Sequence, residues 1–212
     1  MRPDEASAFV EDVAGLTFGA AFRMLADEAP GLDLPGGAAA RRANVARYLE
    51  ERTAERPVLL VGEAMGYAGG RFSGIAFTAE RTLHAWGPPY AATSIRPEGF
   101  SEQSGTIVHG ALAALGIEHD AVLWNVVPAH PHRPGEPLSN RTPAAGELRA
   151  GAEVLGELIE RLQPRATIAV GRSAERALGE LGMPCHGNVR HPANGGATAF
   201  RQGLAALVAE LG

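Results

Sequence analysis

Apolar residues recur along this chain with two different rhythms. Between Glu5 and Asp27, the residues Phe9, Val13, Leu16 and Phe22 fall on one side of a 3.6-residue repeat, which predicts a helix. Pro30 to Gly37 interrupts it with prolines and glycines, and Ala38 to Glu55 reads as a second helix. The next stretch has no helical period. Pro57 to Val61 is continuously apolar and closed by Gly62, the pattern of a strand buried on both faces, as in parallel sheets. Asp120 to Val127, stopped by Pro128, and Ala166 to Val170, stopped by Gly171, read the same way, and Cys185 to Val189 makes a shorter fourth strand. Helices are predicted over Ser101–Leu115, from Pro143 as first helical residue after a Thr142 cap to Leu162, over Ser173–Leu181 and over Thr198–Leu211. Gly62 to Phe77 and Ala129 to Thr142 carry no period and are assigned as loops.

Strands separated by helices imply right-handed crossovers. The predicted fold is therefore α/β, a three-layer α/β/α sandwich around a central, mostly parallel four-stranded sheet. There is no repeat and no long linker, so residues 1–212 read as a single domain, with N-terminal helices over 1–56 and the α/β core over 57–212. Ligands of such sheets bind beyond the carboxyl ends of the strands. Three exits there carry polar groups: Glu63 after the first strand, Asn125 near the end of the second, and Arg190, His191 and Asn194 after the fourth.

Composition narrows the chemistry. Cys185 is the single cysteine, so no internal disulfide can form and a cysteine-ligated metal or iron–sulfur centre is not expected. Lysine is absent and all 19 basic residues are arginines, several of them (Arg133, Arg141, Arg172, Arg190, Arg201) close to the loops of the second half. The net charge of −5 argues against a protein that is basic overall, but leaves room for one basic face. No apolar run reaches the ~18 residues of a membrane span, so no membrane partner is expected. The N-terminus has no apolar signal core, and a cytoplasmic monomer is the expectation.

Three segments, taken in order, resemble the uracil-DNA glycosylase superfamily. Gly62-Glu63-Ala64-Met65-Gly66, following an apolar strand and continuing through Gly74-Ile75-Ala76-Phe77, resembles the family's first motif and its base-stacking aromatic. Leu123-Trp124-Asn125-Val126-Val127 resembles the strand that presents the base-reading Asn, and His191-Pro192-Ala193-Asn194 resembles the His-Pro-Ser/Ala motif. Met65 stands where the family usually has proline. Gly66 stands where some relatives place a tyrosine that excludes the thymine methyl group, and Gly195-Gly196-Ala197 replaces the leucine that some members wedge into a duplex. The iron–sulfur branch shares the Gly-Glu-Ala start but needs four cysteines.

The resemblance implies hydrolysis of the N-glycosidic bond of uracil, or of a related deaminated base, in single- or double-stranded DNA, with no cofactor and no metal. It makes Glu63 and His191 the catalytic pair, the glutamate acting on water or the cationic sugar and the imidazole donating to the departing base. A catalytic Asp of other branches falls at Ala64. Phe77 would stack on the base and Asn125 would read its edge, in a pocket completed by Gly62, Ala64, Gly66 and Tyr67. Arg190, Asn194 and Gly195 would meet the DNA backbone.

Each residue also has an ordinary explanation. Glu63 alone is a loop acid, Phe77 a core residue and His191 a turn residue, while His130, His132 and Arg133 read as a solvated loop. Two other functions stay open on these residues: a non-catalytic binder of nucleic acid or a free base on the same fold, and a nucleoside hydrolase using Glu63 and His191.

Overall fold

Four apolar runs form the sheet. In a computed structural model describing residues 1–52 and 55–211, they become β1 (Val58–Ala64), β2 (Ala121–Val127), β3 (Ala166–Val170) and β4 (Gly187–Val189). Their order in the sheet is β2-β1-β3-β4, and every pairing is parallel. Eight helices surround them among the described residues: α1 (Pro3–Gly15), α2 (Gly37–Glu51), α3 (Gly70–Ser73), α4 (Glu80–Trp86), α5 (Gln103–Ala114), α6 (Ala145–Leu162), α7 (Arg172–Glu180) and α8 (Ala197–Glu210). None of them is long and apolar enough to cross a membrane.

Because side chains alternate along a strand, the register assigns them to faces. Gly62 pairs with Asn125 and Val61 with Trp124. Gly62 and Asn125 thus point to one face, Glu63 and Trp124 to the other. On the second face Trp124 meets Phe9 of α1, their rings 5.8 Å apart, and the Arg161 guanidinium of α6 lies 5.5 Å from the Phe9 ring. β2 is an edge strand, and α2 covers it: the backbone N–H of Leu123 donates to the Tyr48 hydroxyl at 2.8 Å.

Several boundaries differ from the sequence reading. The first helix stops at Gly15 rather than Asp27. Residues 16–26 turn back on the core, and Phe22 exchanges backbone hydrogen bonds with His130. Gly19 adopts a left-handed φ of 54°, which a continuing helix would not allow. The second helix ends at Glu51, short of Glu55, with residues 53–54 outside the described part. β1 runs through Gly62 to Ala64. The Gly62–Phe77 loop contains the short α3, and α4 was not foreseen. The helix predicted from Pro143 starts at Ala145, where Glu147 accepts from the Ala144 N–H at 2.8 Å, so Thr142 is not its cap. The fourth strand shortens to three residues. His130 is fully buried and bonded to the Ser139 carbonyl, not solvated.

A charged network ties the N-terminal segment down. Asp33 accepts from Arg71 at 2.8 and 3.0 Å and from Arg41 at 3.1 Å, all three side chains being buried. Burial pushes the Asp33 carboxyl up, but Arg71, the Ala29 N–H and Arg41 together hold it below the usual carboxylate range.

Candidate functional site

All four strands release their carboxyl ends at one rim, and a cavity of about 980 Å³ opens there. β1 supplies Glu63 and Ala64 to its wall and β2 supplies Asn125; the β3 exit and first turn of α7 supply Gly171, Arg172 and Ser173, and the segment after β4 supplies Arg190, His191 and Ala193. Loops add Met65, Gly66 and Phe77 on one side, and Asn140 and Arg141 on another.

Gly62 holds the centre without itself lining the cavity. A Cβ at this position would lie 2.3 Å from Asn125 Oδ1 and 2.6 Å from Phe77 Cζ. The amide and the ring therefore occupy the space that any other residue would take. Phe77 itself has a left-handed φ of 52°, uncommon for an aromatic residue, and its carbonyl packs on Gly105, where a Cβ would come within 2.3 Å. These close approaches fix the ring against the Asn125 amide.

Asn125 is buried, and its Nδ2 donates to the thioether of Met65 at 3.0 Å. Sulfur can only accept, so Met65 pins the nitrogen end of the amide, and one N–H remains for another acceptor. Among the described residues Oδ1 has no hydrogen bond. Met65 is thus a site residue that sequence reasoning treated only as a departure from proline.

His191 faces the same space, its ring centroid 6.1 Å from that of Phe77. Nδ1 accepts from the Ala193 N–H at 3.2 Å, so the neutral ring carries its hydrogen on Nε2 as a donor. Burial, helped by the Arg190 charge, lowers its pKa and keeps the ring neutral at neutral pH. The turn that follows is tight. Asn194 and Gly195 are left-handed, and a Cβ on Gly196 would stand 2.0 Å from the His191 carbonyl oxygen.

Glu63 lies on the other sheet face, toward α7. Burial raises its carboxyl pKa, while Arg176 and the Ser173 hydroxyl favour the ionised form. Tyr67, Asn194 and Gly195 lie outside the cavity wall; the Tyr67 N–H donates to Asn140 Oδ1 at 3.0 Å and fixes the loop above the pocket. Sequence reasoning missed Glu102, Ser104, Asn140 and Ser173, all of which line the wall. No local signal marks them, because each reaches the cavity only through tertiary packing. Among the described residues no group of three His, Cys, Asp or Glu could hold a metal ion.

Comparison with known proteins bears on the family and the fold. A model of the Uracil DNA glycosylase superfamily matches residues 50–208 of the 212. No curated protein gives a significant match. Among solved structures, the crystal structure of wild-type Pedobacter heparinus SMUG2 is similar with a TM-score of 0.61 at 14% identity, covering 97% of this chain and 94% of that one. At that identity the likeness bears on the fold alone.

Proposed function

Since the chain belongs to the uracil-DNA glycosylase superfamily, we propose that it releases uracil, or a related deaminated base, from DNA by hydrolysing the N-glycosidic bond. The observation that carries this reading is the convergence of Phe77, Asn125 and His191 on one cavity at the strand ends. A base drawn out of the stack costs a few kcal/mol, and stacking on an aromatic face returns about 1–3 kcal/mol. The unbonded Oδ1 of Asn125 accepts from N3–H of uracil, and the remaining Nδ2 hydrogen donates to O4. Cytosine presents the opposite pattern to an amide held in this orientation.

As the glycosidic bond breaks, negative charge builds on the base and positive charge on the sugar. The Nε2–H of His191 donates to O2 of the departing base, where one such donor is worth roughly 10²–10³ in rate. Glu63 in its ionised form orients the attacking water or stabilises the sugar cation. Arg190 on the cavity wall and the Asn194–Gly196 turn meet the phosphates. No step calls on a metal or an organic cofactor.

The test is a single-stranded oligonucleotide containing uracil, hypoxanthine or xanthine, incubated with the protein and then with alkali. Scission at the modified base is expected, and Glu63→Gln should reduce it. No scission with any of the three bases would overturn the reading. A second reading is favoured by one observation: Glu63 leans toward Ser173 and Arg176, on the sheet face opposite Asn125. A base-binding protein without turnover would bind the same oligonucleotides with a salt-dependent affinity and leave them uncut.

A further inference from the structure

Glu102 has no part in the reaction as described, yet its carboxyl group stands in the cavity wall. It is the residue just before α5, but its side chain makes no capping bond to that helix. It turns instead over three glycines from two segments. A Cβ on Gly69 would lie 2.2 Å from Oε2, one on Gly105 3.3 Å from Oε2, and one on Gly66 3.3 Å from Oε1. Larger residues at these positions would push the carboxyl away, so the glycines make its berth. Oε2 is buried and has no hydrogen-bond partner among the described residues. A buried polar atom of this kind in a cavity wall points to a missing partner.

Glu102 and Asn125 line the same cavity, and the Gly69–Gly70 pair connects their surroundings. The Asn125 nitrogen is held by the Met65 thioether, and that sulfur fills the space beside Gly70, where a Cβ would come within 2.3 Å of it. Glu102 fills the space beside the adjoining Gly69. Met65 and Glu102 thus pack against adjoining glycines of one loop, and both line the cavity that Asn125 faces.

We propose that Glu102 is a specificity-determining residue of this site, its carboxyl group donating a hydrogen bond to the exocyclic oxygen that deamination creates, O4 of uracil or O6 of hypoxanthine. The inference rests on the glycosylase reading above and extends it. A carboxylate could only accept and would favour an amino group at this place. Burial pushes the Glu102 carboxyl up toward its protonated, donating form, opposed only by the Ser104 hydroxyl. The exocyclic oxygen then sits between two donors, Asn125 Nδ2 and Glu102, and an amino group meets at least one mismatched partner.

The experiment compares substrates that differ only in that oxygen. Oligonucleotides carrying uracil or 2-pyrimidinone, which lacks O4, are given to the wild type and to Glu102→Ala under single-turnover conditions. Base release from uracil should fall about tenfold or more in the variant, while release from 2-pyrimidinone stays within about threefold of wild type. Glu102→Gln, an amide that still donates, should keep the uracil rate within about threefold. Equal losses on both substrates would assign Glu102 a purely structural part and overturn the proposal, as would no loss on either. Should Glu102→Ala not fold, Glu102→Met against Glu102→Gln gives the same comparison. If the wild type releases no base, the glycosylase reading fails by itself. Glu102 is then judged by fluorescence anisotropy of the same oligonucleotides: a uracil preference lost in Glu102→Ala supports the proposal, and identical affinities, or no binding at all, overturn it.

Discussion

The most searching perturbation of this site adds one methyl group. In Gly62→Ala the new Cβ would lie 2.3 Å from Asn125 Oδ1 and 2.6 Å from Phe77 Cζ. An ordinary contact is near 3.4 Å, so the amide and the ring must each retreat by about 1 Å, an order-of-magnitude figure set by close packing. Neither can do so freely. The Asn125 nitrogen is held by Met65, and the Phe77 carbonyl is wedged against Gly105. Overpacking of this kind costs about 1–3 kcal/mol of stability, which in a domain of this size lowers Tm by roughly 2–12 °C. The effect on chemistry should be larger than that on folding. A displacement of about 1 Å at a substrate-positioning group costs on the order of 10²-fold in rate. The assay is single-turnover uracil release at a temperature well below the variant's own Tm, so that unfolding does not contribute. Adding Phe77→Leu to Gly62→Ala should recover part of the lost Tm by vacating space, but not the rate, since the stacking face is gone. Activity of Gly62→Ala within about twofold of wild type would refute the idea that Gly62 exists to seat Asn125 and Phe77.

Three further outcomes are expected. His191→Ala should lower the single-turnover rate by about 10²–10³ while leaving oligonucleotide affinity within a few-fold, because Nε2–H acts on charge that develops only as the bond breaks; an equal loss in affinity and none in rate would contradict this. Asp33→Asn leaves the buried Arg41 and Arg71 guanidinium groups without their anion, a change worth about 3–5 kcal/mol, and a loss under about 1 kcal/mol in urea denaturation would show the network to be dispensable. Acid should also weaken the fold. Burial lowers His109 and His130 from the ordinary 6.5 to about 4, so below pH 6.5 the unfolded chain gains protons that the folded chain refuses. Stability is full above 6.5 and falls by roughly 2 kcal/mol per histidine on going to pH 5. The raised carboxyls of Glu63 and Glu102 work the other way and soften this loss. A urea midpoint lower at pH 5 than at pH 7, with a shallower slope in His130→Gln, is the expected result, and a flat profile would contradict it.

How much of this was legible in the sequence depended on where each group is anchored. The strands were legible because a continuous apolar run has few other uses, and Asn125 stood out because an amide inside such a run needs a reason. Gly62 misled. Taken as a strand terminator, it ends β1 three residues early, at Val61 instead of Ala64; in the fold it is a strand residue whose missing side chain is replaced by two neighbours from 15 and 63 positions further on. The first helix was overextended for a related reason. Phe22 continues the apolar period but packs beneath the Arg71 guanidinium, 4.0 Å from its ring, in a segment that pairs with His130. Periodicity reports which residues avoid water, not what they avoid it against. Glu102 marks the limit most clearly. Gly66, Gly69 and Gly105 are visible in the sequence as permissive residues, and Glu102 as one acid among 24 acidic residues. Only the packing of the Gly66–Gly70 loop on the start of α5 turns those glycines into a berth and that acid into a wall of the pocket. Residues set on strand ends inherit their direction from the sheet and can be placed by counting. Residues brought in by loops have no such reference, so the loop-built part of the cavity wall is the part the sequence conceals.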